Sequence, residues 1–264
     1  MKRIASFLSS LSIQRITAPC LCLTLVLICL FSFQKQLTPT SGIVSSRKLP
    51  IYCVNTESPK VAISFDAAWG NEQTETLLSI LEKYHVKTTF FMTGGWVESY
   101  PDDVKAIAAA GHDLGNHSEN HKQMSTLSAD ECKQEIQKVH DKVKELTGQD
   151  MILFRPPYGD YNDTLIDAAN SLGYHVIQWD IDSLDWKDYG ADNIVSRVID
   201  NDHLGNGSII LMHNGAKYTP DALERVITGL QEKGYEIVPI SQLIYKENYE
   251  MDHEGRQFIK GNTK

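Results

Sequence analysis

Five short segments of this 264-residue chain gather residue types that perform acid–base and metal chemistry: Ser64–Gly70 (SFDAAWG), Asn116–His121 (NHSENH), Phe154–Gly159 (FRPPYG), Asp180–Trp186 (DIDSLDW) and Leu211–Asn214 (LMHN). His117 and His121 stand four positions apart. On one helical turn that spacing aims two imidazoles at a common point, as a divalent cation requires. Asp66 can take a proton and His213 can give one, with Asp182 and Asp185 as further acids and Arg155 as a cation before two prolines. Taken singly, each has an ordinary account: surface histidines, a helix N-cap, a rim salt bridge, a solvated loop, a core histidine. Together at successive strand ends they form another picture, because an acid, a base and a metal site are what amide hydrolysis demands.

The elements that must position these segments are visible in the hydropathy pattern. From Lys60 onward, β-rich runs alternate with helical stretches: Val61–Phe65, Thr88–Met92, His112–Asn116, Ile152–Arg155, His175–Trp179, Ser208–Met212 and Glu236–Pro239. Cys132, Ile136, Val139, Val143 and Leu146 fall on one helical face, opened by Ser128 and Glu131 as a capping box. Leu223, Val226, Ile227 and Leu230 form a second stripe behind Pro220 at a first helical position. Gly111, Gly148, Gly173 and Gly234 stand at helix C-caps.

Seven strands alternating with helices predict an α/β fold with a parallel sheet covered on both faces, either doubly wound or closed as a barrel. No G-x-G-x-x-G or Walker sequence follows any strand, which argues against nucleotide binding. The unusual polar residues cluster after the C-terminal ends of strands, where barrel enzymes keep their chemistry.

Composition sets the outer limits. A net charge of −9 excludes a generic nucleic-acid binder, which needs a basic face. Five cysteines are too few for a disulfide scaffold, and three of them (Cys20, Cys22, Cys29) lie inside the apolar run Ala18–Phe33. Lys2, Arg3 and Arg15 precede that run, and no acid appears before Glu57. This pattern predicts export through a signal anchor or signal peptide over residues 1–34. The domain would then sit on the extracytoplasmic side of the cell membrane on a single-pass anchor, or be secreted if the segment is cleaved. Residues 35–59 read as stalk and lead-in, 60–246 as the globular domain and 247–264 as a frayed polar tail. Cys53 and Cys132 could pair in an oxidising compartment, although the apolar stripe around Cys132 favours a buried free thiol.

The five segments, in their order, resemble the five motifs of the polysaccharide deacetylase family (carbohydrate esterase family 4, the NodB homology domain), over Lys60 to about Tyr245 or about 70% of the chain. The resemblance implies an irregular (β/α)7 barrel that hydrolyses N-acetyl groups of amino sugars in peptidoglycan, chitin or related glycans. It also implies a divalent metal, zinc first and cobalt or nickel after it, and motif one looks closest to the deacetylases of sporulation. By the same resemblance Asp66 is the base that deprotonates the attacking water, while His117 and His121 ligate the metal. Arg155 orients the base, His213 is the acid that protonates the leaving amine, and Asp185 holds His213 charged. The Tyr158 backbone N–H faces the oxyanion, and Trp186 and Leu211 wall the acetyl pocket.

One position departs from the family. Motif one there carries a second Asp that completes the metal site, and this chain has Ala67. A methyl group cannot ligate a cation, so two imidazoles remain with an open third partner, for which Glu119, Asn71 and Glu72 are neighbouring candidates. The rival reading is a non-catalytic glycan-binding or scaffolding protein that kept the barrel and lost turnover through Ala67.

Overall fold

The computed structural model describes residues 47–261. The expected membrane segment (1–34), the stalk up to residue 46 and the last three residues lie outside this range. Among the described residues no helix is long and apolar enough to cross a membrane.

Strands β1 (Cys53–Val54), β2 (Lys60–Ala67), β3 (Thr89–Met92), β4 (Asp113–Asn116), β5 (Leu153–Phe154), β6 (His175–Val176), β7 (Ile181–Asp182), β8 (Ile209–His213) and β9 (Glu236–Ile237) are threaded with helices. These are α1 (Thr74–Lys83), α2 (Gly94–Ser99), α3 (Pro101–Ala109), α4 (Ala129–Thr147), α5 (Asp163–Ser171), α6 (Ala191–Ile199), α7 (Thr219–Glu232) and α8 (Ile240–Leu243). Strands β10 (Tyr249–Met251) and β11 (Arg256–Ile259) close the chain.

β2 organises the molecule. It is buried throughout after Lys60, and its side chains alternate between two layers. Val61, Ile63, Phe65 and Ala67 join the large cluster shared with the helices, whereas Ala62 joins a second cluster with Phe91, Leu153, Ile177 and Ile209. Ser64 and Asp66 have the parity of Ala62. The face of the sheet turned away from the helical cluster therefore becomes polar as β2 nears its C-terminal end.

The sheet order is β6-β5-β4-β3-β2-β8-β7, and every neighbouring pair is parallel. This is a half-barrel of the irregular (β/α) kind. All seven predicted strands occur at their expected places, but the ring is assembled differently. β9 pairs only with the first two residues of β2, Lys60 and Val61. The place beside β8 goes instead to β7, which a two-residue strand gives no periodicity to reveal.

β6 and β7 form the two edges of this sheet. The lead-in chain lies against one of them: Ile51 N–H donates to the Val176 carbonyl at 2.8 Å and Gln178 N–H donates to the Ile51 carbonyl at 2.8 Å. Cys53 then bridges Ser208, β1 pairs in parallel with β11, and β10 and β11 form an antiparallel hairpin. The tail expected to fray is thus folded through Ile259, and the domain reaches beyond 60–246 at both ends. The Gln257 side chain is buried and bonds both the N–H and the carbonyl of Tyr245. Main-chain pairing of this kind leaves no trace in hydropathy.

Local signals held elsewhere. Ser128 and Glu131 form the capping box of α4, and Gly148 ends that helix at φ 74°. Cys53 and Cys132 are both buried free thiols.

Candidate active site

The five segments converge on one cleft of about 410 Å³, lined by Asp66, Trp69, His117, His121, Tyr158, Trp179, Asp182, Trp186, Leu211 and His213, with Ala68. Arg155 and Asp185 lie beneath its wall, both fully buried.

Asp66 ends the inward row of β2. Its Oδ1 accepts from Arg155 Nη1 at 2.7 Å, and its Oδ2 lies 3.5 Å from His117 Nε2. The guanidinium is fixed from several sides. Nη2 donates to Ser64 Oγ at 2.8 Å and to the Gln178 carbonyl at 3.2 Å, and the group stacks 4.1 Å from the Phe91 ring centroid. Burial pushes the Asp66 carboxyl up, but Arg155 and the neighbouring imidazoles outweigh it and hold the group below the usual carboxylate range. An Arg–Asp pair this deep leaves a costly orphan if either partner is removed.

His117 and His121 meet, though not by the predicted route. The segment is a loop, with Ser118 and His121 at φ 66° and 50°. Asn116 Oδ1 accepts from Ser118 N–H and Ser118 Oγ accepts from His121 N–H, local bonds that compete with a helical turn. The buried Glu135 carboxylate on α4 accepts from Asn120 N–H and Nδ2, both at 2.8 Å. The two rings end 4.9 Å apart, and His121 contacts the Tyr158 ring at 4.5 Å. His117 Nδ1 lies 2.7 Å from the Arg155 carbonyl, so that nitrogen carries the proton and Nε2 presents a lone pair toward the cleft. Burial depresses the His117 pKa to about 4, which keeps the ring neutral.

Those two neutral imidazoles fit a divalent cation as donors. They are what the cleft offers. Among the described residues no group of three or more His, Cys, Asp or Glu converges to hold a metal. Ala67 is fully buried in the helix-side cluster. The substitutes suggested by sequence do not replace it: Glu119 pairs with Lys142 at 2.5 Å, Asn71 donates to Asp103 at 2.8 Å, and neither they nor Glu72 line the cleft.

The opposite wall is complete. His213 Nδ1 is 2.7 Å from Asp185 Oδ1, and the His213 N–H donates to Asp185 Oδ2 at 2.7 Å. Thr219 Oγ1 donates to the same oxygen at 2.6 Å. Burial depresses the imidazole, but Asp185 more than compensates and raises the His213 pKa above its ordinary value. Tyr158 adopts a left-handed backbone at φ 61°, directly after the two prolines. Four residues with positive φ (Ser118, His121, Tyr158 and Leu184) belong to loops around this one cleft, which is where strain accumulates at functional sites.

Sequence reading placed Ser64 and Trp69 in the first segment without giving them a role, and missed Thr219 and Trp179. Strand parity from Asp66 identifies Ser64. Thr219 comes from the start of α7, 34 positions beyond Asp185, and carries no local sign.

The family model for polysaccharide deacetylase matches residues 54–177. The chain is 35% identical over 209 residues to the uncharacterized protein YlxY of Bacillus subtilis, covering 79% of this chain but 65% of the length of YlxY. It is 31% identical to the peptidoglycan-N-acetylmuramic acid deacetylase PdaA of the same organism, covering 74% of this chain and 75% of PdaA. The structure of wild-type BA3943 from Bacillus anthracis, described as a CE4 family pseudoenzyme, superposes with a TM-score of 0.72 at 35% identity. It covers 75% of this chain and 69% of that one. A mutant of BA3943 with restored enzymatic activity superposes equally well.

Proposed function

The chain belongs to the polysaccharide deacetylase family, and from that premise we propose that it hydrolyses N-acetyl groups from the amino sugars of a cell-wall glycan, with peptidoglycan as the substrate class. The observation that carries this reading is the pair of buried ion pairs, Asp66–Arg155 and Asp185–His213, each at 2.7 Å and each bordering the same cleft.

Asp66 acts as base. Arg155 keeps it ionised and fixes Oδ1, so Oδ2 is free to accept a proton from the attacking water. His117 and His121 are the residues that would hold a divalent cation, zinc first and cobalt or nickel after it, which when bound would polarise the acetyl carbonyl and acidify water. The Tyr158 backbone N–H, presented by its left-handed turn, faces the oxygen that becomes negative as the carbonyl carbon turns tetrahedral. His213, protonated on both nitrogens through Asp185, gives its Nε2 proton to the sugar nitrogen as the C–N bond breaks. Acetate and a free amine result. Leu211 and Trp186 border the space for the acetyl methyl.

Relatives that act on peptidoglycan and the export pattern in residues 1–34 support placing this reaction outside the cytoplasm, on an anchored or secreted domain, with the wording of motif one supporting a role in sporulation. Ala67 and the likeness to BA3943 favour a second reading, a glycan-binding protein without turnover. Acetate release from peptidoglycan and from N-acetylglucosamine oligomers, with added zinc, cobalt or chelator, separates them. Release that depends on Asp66 supports the hydrolase; binding without release under every condition supports the second reading.

A further inference from the structure

Trp69 has no role in the mechanism above, yet its placement is built rather than incidental. It occupies the loop directly after β2, and its ring lies 5.3 Å from the His213 ring at an interplanar angle of 34° while remaining 44% exposed in the cleft. Two features hold it there. Trp96 Nε1 donates to the Gly70 carbonyl at 2.7 Å, anchoring the loop from below. Gly215, two residues after His213, leaves room for the indole: a Cβ there would stand 2.6 Å from Trp69 Nε1 and 2.7 Å from Cδ1, and closer still to the Trp69 carbonyl. A methyl group at position 215 and this indole cannot share the space.

The rest of the surface sharpens the point. Five large apolar side chains are exposed among the described residues (Trp69, Tyr158, Trp186, Tyr189 and Ile259), and three of them line this cleft. Exposed aromatic rings concentrated at one cleft mark a binding surface. Sugar rings suit such a surface, since their axial C–H faces are apolar while their rims carry hydroxyls. Asp182, half-buried in the same lining, offers a carboxylate to those hydroxyls.

We propose that Trp69 is a sugar-stacking, specificity-determining residue, seated by Gly215 so that the pyranose bearing the leaving nitrogen lies against the indole beside His213. This rests on the glycan reading above. It assigns to Trp69 the apolar face of that pyranose rather than the acetamide group.

The test is calorimetric titration of the full-length protein with the β-1,4-linked tetramer of N-acetylglucosamine, with melting curves to establish that each variant folds. Trp69→Ala should weaken binding about tenfold, the scale of one lost aromatic contact, and Trp69→Phe should recover most of it. Gly215→Ala should weaken binding as well, because its Cβ would press on both the main-chain carbonyl and the indole of Trp69 and shift the ring from its place. If the wild type binds and Trp69→Ala binds equally well, Trp69 is not a stacking residue and the glycan reading survives. If Trp69→Phe binds no better than Trp69→Ala, the aromatic face is not what matters and the inference falls. If the wild type does not bind the tetramer at all, the glycan reading fails and takes this inference with it.

Discussion

The two walls of the cleft are built to different degrees of completion. On the His213 side, every polar atom of Asp185 that the reaction would use has a partner: two bonds to His213 and one from Thr219. On the Asp66 side, the carboxylate is fixed by Arg155 and one imidazole is oriented by a main-chain carbonyl, but among the described residues no third donor joins the two imidazoles. The two carboxylate pairs are therefore fully bonded within this chain, whereas the pair of imidazoles is left open.

The sharpest way to break this comparison is to remove the proton-transfer groups themselves. Asp66→Asn and His213→Ala should each lower deacetylation by about 10²–10⁴-fold in turnover while zinc content, measured by atomic emission, stays at the wild-type level. Loss of zinc in His213→Ala would move that residue to the metal side and erase the division.

Arg155→Met tests how much stability the Asp66 side stores. The substitution leaves a largely buried carboxylate at the cleft floor without its cation, so the unfolding free energy should fall by about 3 kcal/mol in denaturant melts. The Asp66 pKa should rise at the same time, moving the acid limb of the activity profile upward in pH. A loss below about 1 kcal/mol would mean the pair is screened by water and is not the anchor of that wall.

Ala67→Asp probes the incomplete half directly. Position 67 has the parity of the helix-side core, so without metal a carboxylate there should lower the melting midpoint through burial of an unpaired charge. With zinc, it should gain affinity by about tenfold or more, and the midpoint should recover through ligand-linked stabilisation. Activity should rise more at limiting metal than at saturating metal. Unchanged zinc affinity would mean that a third donor is supplied elsewhere or that the two imidazoles hold no cation.

The smallest expected effect is a displacement in pH. Asp185 raises the pKa of His213, so the charged acid persists to higher pH and activity declines as pH climbs through that raised value. In Asp185→Asn the decline should begin at lower pH, because burial then depresses the imidazole against only the weaker pull of Asp66 and Asp182. The stability contributed by the pair follows the same sign: it is present in full below the ordinary histidine pKa and lost as pH rises past the raised one. An alkaline limb that stays in place in Asp185→Asn would detach His213 from the acid role.

Much of this protein is written locally. Strand parity fixes that Asp66 and Ser64 share a face, because successive side chains in an extended chain must alternate. Capping residues and helical stripes fix α4 and α7, since Ser128, Glu131 and the apolar positions act within one or two turns of themselves. The ordered motifs mark the side chains that meet at the cleft. What the tertiary structure alone decided is of longer range. It drew His117 and His121 together through side-chain-capped turns braced by Glu135 instead of a helix. It brought Thr219 to Asp185 and Gly215 to Trp69, and it recruited β7, β9 and the C-terminal hairpin into main-chain pairings. Main-chain hydrogen bonds are the same for every residue type, and a contact between positions far apart depends on where the whole sheet carries them, so neither leaves a pattern in any short stretch of sequence.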